Sequence, residues 1–187
     1  LEGGAGNDLF KATSYDDGDD VIDGDATTDS GVDTIDYSAI TSTTYHLEVN
    51  LSSVTVGTIS AGTSYIKSTT THQTDTLTNI ENVTGTSGDD TFVGNSKDNI
   101  FDGGASGNDT VSYGNITATT TAITINLETN TATGDGEDTL TSIENATGGA
   151  GNDKIIVSTA TESNVLDGSG GTDTVSYEYY STAVTRD

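Results

Sequence analysis

Gly3-Gly-Ala-Gly-Asn-Asp-Leu-Phe10, Gly103-Gly-Ala-Ser-Gly-Asn-Asp-Thr-Val111 and Gly148-Gly-Ala-Gly-Asn-Asp-Lys-Ile155 are three versions of one phrase: a glycine-rich turn, an aspartate, and a large apolar residue two positions on. Aligned on the residue that closes the turn, the chain yields three triplets. They are Asp8, Asp20 and Asp33; Asp90, Asn99 and Asp109; and Asp153, Asn164 and Asp173. Two residues after each comes Phe10, Ile22, Ile35, Phe92, Phe101, Val111, Ile155, Leu166 and Val175, all large and apolar in a chain that is only 30% hydrophobic. The spacings within triplets, 9–13 residues, leave room for a turn and one short strand. One inward side chain per turn cannot be buried alone, so successive strands must stack and share a core. Thr, Val, Ile and Tyr dominate between the turns, as strands prefer, and there is no Pro.

A longer period encloses the short one. Asp33-Thr-Ile-Asp-Tyr37 recurs as Asp109-Thr-Val-Ser-Tyr113 and Asp173-Thr-Val-Ser-Tyr177, and Ile80-Glu-Asn-Val-Thr-Gly85 recurs as Ile143-Glu-Asn-Ala-Thr-Gly148. The chain therefore reads as one tandem array, residues 1–187, truncated at both ends, with blocks of about 1–36, 85–113 and 148–177. Insertions of about 38–74 and 114–137 separate the blocks. Each holds an alternating segment, His46-Leu-Glu-Val-Asn-Leu51 and Ala122-Ile-Thr-Ile-Asn-Leu127, which predicts a longer strand or hairpin kept in register. A further turn is expected at Thr74-Asp75-Thr-Leu77 and at Glu137-Asp138-Thr-Leu140.

Charge narrows the function. Asp and Glu number 30 against 5 Lys and Arg, a formal net charge of −25, while Leu, Ile, Val and Phe make up only 36 of the 187 residues. Such a composition by itself predicts a disordered chain. With so few basic residues an internal ion-pair network cannot neutralise the acid, so bound cations or a basic partner must. Nucleic acid is excluded as a partner because its phosphates need Lys and Arg, and an anionic lipid surface is excluded by the same sign argument. No apolar run approaches the roughly 18–20 residues of a membrane span. Cys is absent, which removes disulfides and thiolate metal sites.

The glycine- and aspartate-rich turns resemble the nonapeptide Gly-Gly-x-Gly-x-Asp-x-U-x of the RTX (repeats-in-toxin) family, U being large and apolar. The resemblance covers the three blocks, somewhat over half of the chain. It implies an all-β fold, a parallel β-roll (β-solenoid) with Ca²⁺ held between turns on each edge, here interrupted by strand insertions. It further implies export by type I secretion, folding on Ca²⁺ outside the cell, and flanking repeats of the same polypeptide as neighbours, in a monomer.

The turn chemistry supports calcium on its own terms. Ca²⁺ takes 6–8 oxygen ligands from carboxylates and backbone carbonyls, and glycine turns bare their carbonyls. The candidate ligands are Asp8, Asp20, Asp33, Asp90, Asp109, Asp153 and Asp173, with turn glycines Gly4, Gly6, Gly88, Gly104, Gly107, Gly149, Gly151 and Gly171. The acidic turn with Asp17 and Asp19 adds candidates, as do Asp23, Asp102 and Asp167 before the next glycines. Alternate turns of a two-sided roll share an edge, so the expected ion-sharing pairs are Asp8/Asp33, Asp90/Asp109 and Asp153/Asp173. Asn99 and Asn164 replace Asp in the middle turns of copies two and three, which should leave the opposite edge there weakly ligated or empty.

Catalysis is not expected. His46 and His72 are the two histidines, neither lies in an HExxH motif, and no G-x-S-x-G elbow is present. Tyr37, Tyr113 and Tyr177 are expected to cap the apolar core. Three functions remain open: a structural extender of a large secreted, adhesin-like bacterial protein; the calcium-dependent secretion and folding module of an exported protease, lipase or epimerase; and a ligand- or ice-binding face built on flat rows of Thr and Asn. The insertions favour the first.

Overall fold

The computed structural model describes residues 1–15, 18–25, 31–67, 72–160 and 163–181. Among them the chain is all β, with no helix and seventeen strands in two sheets. The triplet turns each deliver one three-residue strand, or in one case two residues. These are β1 (Leu9–Lys11), β2 (Val21–Asp23), β3 (Thr34–Asp36), β8 (Thr91–Val93), β9 (Ile100–Asp102), β10 (Thr110–Ser112), β15 (Lys154–Ile156), β16 (Leu166–Asp167) and β17 (Thr174–Ser176). The insertions deliver β4 (His46–Asn50), β5 (Thr63–Lys67) and β6 (His72–Thr78), then β11 (Thr124–Asn126), β12 (Thr131–Thr133) and β13 (Glu137–Thr141). The Ile-Glu-Asn-x-Thr-Gly markers supply β7 (Asn82–Thr84) and β14 (Asn145–Thr147).

Strand order in the nine-stranded sheet is β1-β3-β7-β9-β13-β12-β11-β15-β17, and in the eight-stranded sheet β16-β14-β10-β8-β4-β5-β6-β2. Successive short strands fall in opposite sheets, so the chain crosses between the sheets at every glycine-rich turn. Each unit makes five such visits, counting a meander as one, and five is odd. Equivalent strands therefore change sheets from copy to copy: β1 and β15 lie in the nine-stranded sheet, while β8 lies in the eight-stranded one.

The sheets are mixed, not parallel throughout. Short strands pair in parallel, whereas β4/β5, β5/β6, β11/β12 and β12/β13 are antiparallel. The departure is local: each insertion folds as a three-stranded meander within one sheet, its strands pairing antiparallel with their sequence neighbours. The first adds its extra strands to the eight-stranded sheet, the second to the nine-stranded sheet, so the two stay nearly equal in width. Thr74–Leu77 and Glu137–Leu140, expected as turns, lie inside β6 and β13. Asp75 and Asp138 there still point inward, because the alternation that buries Leu77 and Leu140 buries them too.

The middle residues of the short strands form one core between the sheets. Ile22, Ile35, Val83, Phe92, Phe101, Val111, Ile125, Leu140, Ala146 and Ile155 are buried in a single cluster, with Leu47, Val49 and Ile66 from the first meander. Phe92 and Phe101, from opposite sheets, stack with ring centroids 5.5 Å apart. Of the nine residues that the triplets mark, Phe10 and Leu166 are only partly buried and Val175 is 38% exposed. These three sit on β1, β16 and β17, three of the four outermost strands, where no further strand stacks on them; on the fourth, β2, Ile22 stays buried beside the bridge from Glu2 to Asp23.

Candidate functional site

The edges of the molecule, where the chain turns from one sheet to the other, carry the acidic residues. On the edge entering the nine-stranded sheet, the Asp33 Oδ1 accepts the Asp8 backbone N–H at 2.7 Å, and Glu81 Oε2 accepts that of Asp33 at 2.9 Å. On the opposite edge, Asp109 Oδ1 accepts the Asp90 N–H at 2.8 Å, and Glu144 Oε2 accepts that of Asp109 at 2.9 Å. Back on the first edge, Asp173 Oδ1 accepts the Asp153 N–H at 2.9 Å. The three expected pairs are thus brought together in adjacent turns. The pair of copy two lies on the edge opposite those of copies one and three, because of the odd number of crossings per unit.

A second set of bonds runs the other way. Val32, Asn108, Glu137 and Thr172 donate backbone N–H groups to the side chains of Asn7, Asp89, Asp98 and Asn152. Asp19 likewise accepts from Thr74, beside the Asp20 N–H that reaches Asp75 Oδ1. The dipeptides Asn7-Asp8, Asp19-Asp20, Asp89-Asp90, Asp98-Asn99 and Asn152-Asp153 therefore each clasp the next turn reciprocally. The residue before the aligned Asp was legible as a recurring Asn or Asp, and its role was missed. Glu81, Glu144, Asp75 and Asp138 were missed as well, although each stands two residues before an apolar strand residue as the aligned Asp do.

These bonds engage Oδ1 of Asp33, Asp109 and Asp173; in Asp90 and Asp153 both oxygens accept N–H groups, Oδ1 from Leu47 and Ile123 and Oδ2 from Thr86 and Gly149. The Oδ2 atoms lie against the glycine of a preceding turn and a backbone carbonyl. A methyl group at Gly24 would lie 2.3 Å from Asp33 Oδ2 and 2.1 Å from the carbonyl of Asn79; one at Gly3, 2.6 Å from Asp8 Oδ2 and 2.5 Å from that of Gly24. On the other edge a methyl at Gly103 would meet Asp109 Oδ2 at 2.3 Å and the Ser142 carbonyl at 2.1 Å, and one at Gly85 Asp90 Oδ2 at 2.4 Å and the Gly103 carbonyl at 2.9 Å. Gly148 repeats this with Asp153 Oδ2 and the Gly168 carbonyl. Asn79 and Ser142 hold left-handed backbones (φ 53° and 52°), a conformation uncommon outside glycine, that accompanies the approach of their carbonyls. The Oδ2 atoms of Asp8 and Asp33 are buried with no hydrogen-bond donor, and Asp33 is 0% exposed. Such an acceptor costs free energy unless something positive meets it.

The Asn turns differ. At Gly94 the nearest oxygen is Asn99 Oδ1 at 3.1 Å, and no carbonyl converges with it. Asn99 Nδ2 donates to the Glu81 carbonyl at 2.8 Å, and Asn164 Nδ2 to the Glu144 carbonyl. Asp102 and Asp167 cap their own turns, accepting the N–H of Gly104 and Ser169, and Asp23 accepts from Asn79. Gly4, Gly6, Gly104, Gly107 and Gly171 take positive φ, the role for which turn glycines are suited. At Gly88 and Gly151 a methyl would strike the carbonyls of Tyr45 and Thr121, and at Gly149 it would press on Ile116. Asp17 lies outside the described residues.

Burial perturbs the carboxylates that share an edge. Desolvation, with the charges of Asp90, Glu144 and Asp89 beside it, pushes Asp109 up to about 8. Burial raises Asp90 to about 6 against the opposing hydrogen bonds from Leu47 and Thr86. Among the described residues no three His, Cys, Asp or Glu side chains converge as a ready-made metal cluster. A cation here would draw on one or two carboxylates and on backbone carbonyls. His46, in β4, places Nδ1 3.1 Å from the Asp89 carbonyl.

Thr-rich rows occur on the second meander, where Thr131 and Thr133 of β12 stand beside Thr139 of β13 and Thr124 and Asn126 of β11. The array is three strands wide. Ile100 and Asp102 bound it on one side, Lys154 and Ile156 on the other.

No protein-family model matches the chain, and no curated protein matches its sequence.

Proposed function

We propose that the chain is a calcium-binding structural module of a large secreted bacterial protein, an RTX-like β-roll whose turns are completed by Ca²⁺. The observation that carries this is the buried Asp33 Oδ2, without a hydrogen-bond donor, set against the carbonyl of Asn79 beside Gly24. Carboxylate and carbonyl oxygens with no sulfur or imidazole suit a hard cation that accepts many oxygens, and Ca²⁺ is that ion. Asp8 and Asp33, Asp90 and Asp109, and Asp153 and Asp173 would hold it, with carbonyls of the glycine-rich turns. The bound charge offsets the net −25 that the few basic residues leave standing. Among the described residues the ion pairs are Lys11–Asp36, Lys97–Glu81 and Lys154–Glu178.

In this reading the module is an extender. Ca²⁺ turns a self-repelling acidic chain into a stiff stack, and ligation is coupled to folding. Dissociation constants of roughly 10⁻⁴–10⁻³ M, as for extracellular calcium modules, keep the chain unfolded in the cytosol and fold it after export. Circular dichroism in EDTA and in millimolar Ca²⁺ tests this: the β spectrum should be lost in EDTA and regained on adding Ca²⁺. The same β spectrum in both would overturn it.

A further inference from the structure

On the edge that begins with Asp8 and Asp33, the next acidic residue is Glu81, and its surroundings change in kind. Its side chain is 4% exposed, and its Oε1 receives the ammonium of Lys97 at 2.5 Å. Its Oε2 takes the Asp33 N–H and its carbonyl takes Asn99 Nδ2. Every acceptor on Glu81 is thus met by a donor from the protein, one of them charged. The orphaned oxygens stop where the ammonium begins: Asp8 and Asp33 each keep a buried oxygen without a donor, and Glu81 does not.

We infer that Lys97 and Asn99 together replace a metal ion at this turn. The inference rests on the calcium reading above. A divalent ion between two turns must do two things: compensate buried carboxylate charge and bridge carboxylate to carbonyl oxygen. Lys97 does the first through its ammonium, and in place of the second Asn99 ties the turn to its neighbour by hydrogen bonds, its Oδ1 accepting the Asn95 N–H and its Nδ2 donating to the Glu81 carbonyl. The turn reads Asn95-Ser-Lys-Asp-Asn99, where a complete turn has glycines and a final Asp. The missing carbonyl at Gly94 agrees. Glu144, the equivalent of Glu81, receives Asn164 through its carbonyl and Asp109 N–H through Oε2, and no lysine occupies the turn that holds Asn164. The two edges are therefore unequal: in the folded chain one contains a junction held by the chain's own cation.

Three variants of the full chain test this, with bound Ca²⁺ counted at saturation by equilibrium dialysis and thermal melting followed by circular dichroism. Lys97→Gly combined with Asn99→Asp should bind one Ca²⁺ more per chain than the parent. Lys97→Met should melt several degrees lower at equal Ca²⁺, because a buried carboxylate loses its cation, and Lys97→Arg should restore the parent value. A folded double variant with the parent ion count overturns the inference. Should the double variant not fold, a Lys97→Met that melts with the parent overturns it instead. A parent that binds no Ca²⁺ at all refutes the calcium reading, and is recognised because the ion count of the parent itself is then zero.

Discussion

Tyr113 donates its hydroxyl to Asp138 Oδ2 at 2.6 Å inside the core, and Asp138 Oδ1 in turn accepts the backbone N–H of Asn99. The tyrosine thus ties the end of β10, in one sheet, to an edge turn of the other. Its own ionisation is pushed well up by burial and by the facing carboxylate. Copy one repeats the tie: Tyr37 donates to Asp75 Oδ2 at 3.1 Å, and Asp75 Oδ1 accepts the Asp20 N–H.

The two ties are not equal, which gives a first prediction. Ser64 Oγ lies 2.5 Å from the Tyr37 hydroxyl and 3.2 Å from Asp75 Oδ2, so a second donor to Asp75 is at hand. Tyr113→Phe leaves Asp138 Oδ2 buried without that donor, at a cost of about 1–3 kcal/mol. Tyr37→Phe should cost less, because the serine hydroxyl takes over. Urea unfolding of both variants at saturating Ca²⁺ measures the difference, and equal losses would show that Ser64 compensates nothing.

Glycine supplies a second test, since two glycines of one turn region are needed for different reasons. Gly4 has φ +106° with open space where a side chain would go, so Gly4→Ala strains only the backbone, by about 1–3 kcal/mol. Gly24 carries no positive φ, but a methyl there would lie 2.1 Å from the Asn79 carbonyl and 2.3 Å from Asp33 Oδ2. Gly24→Ala should therefore lower the number of bound Ca²⁺ ions, and Gly4→Ala should leave it unchanged. Isothermal titration of both variants decides it. An unchanged ion count in Gly24→Ala would mean that this space holds no ion.

What the sequence made legible was the short period and its apolar partner. The Asp-x-apolar phrase located all nine triplet strands, because one buried side chain per turn leaves a signal that does not depend on the rest of the chain. Pairing of Asp90 with Asp109, and of the corresponding residues in the other copies, followed from counting alternate turns. The meanders were less legible. His46–Asn50 and Thr124–Asn126 announce themselves by alternation, but β5 and β12 carry no turn phrase. Nothing local says that Asp75 and Asp138 lie within strands. The switch of edges between copies was hidden for a different reason: it depends on the parity of crossings, which needs the sheet assignment of every strand. Glu81 and Glu144 were visible in the repeated Ile-Glu-Asn phrase, yet their place at the end of a carboxylate ladder arises from stacking, not from sequence neighbours.

The ladders also set a pH dependence for the ion-free chain. Asp109 sits at about 8 and Asp90 at about 6, both raised first by burial, and Asp138 is raised to about 6 by burial against the hydrogen bond from Tyr113. In the unfolded chain these groups return to 3.8. The folded state therefore binds more protons than the unfolded state, so stability falls as pH rises. The stabilisation by protonation is complete below the unfolded value, and is lost first as pH passes about 6 and then as it passes about 8. A bound cation favours the charged carboxylates and removes this dependence, because the ion competes with the protons. Residual folded structure in EDTA should thus melt at progressively lower temperature from acid to alkaline pH, while the Ca²⁺-saturated protein should not lose stability over that range. Asp109→Asn should flatten the upper part of the EDTA profile, since the group that titrates highest is gone. An EDTA profile that rises with pH would show that these carboxylates are charged in the ion-free fold, and that the edges are stabilised by something other than shared protons or a shared metal.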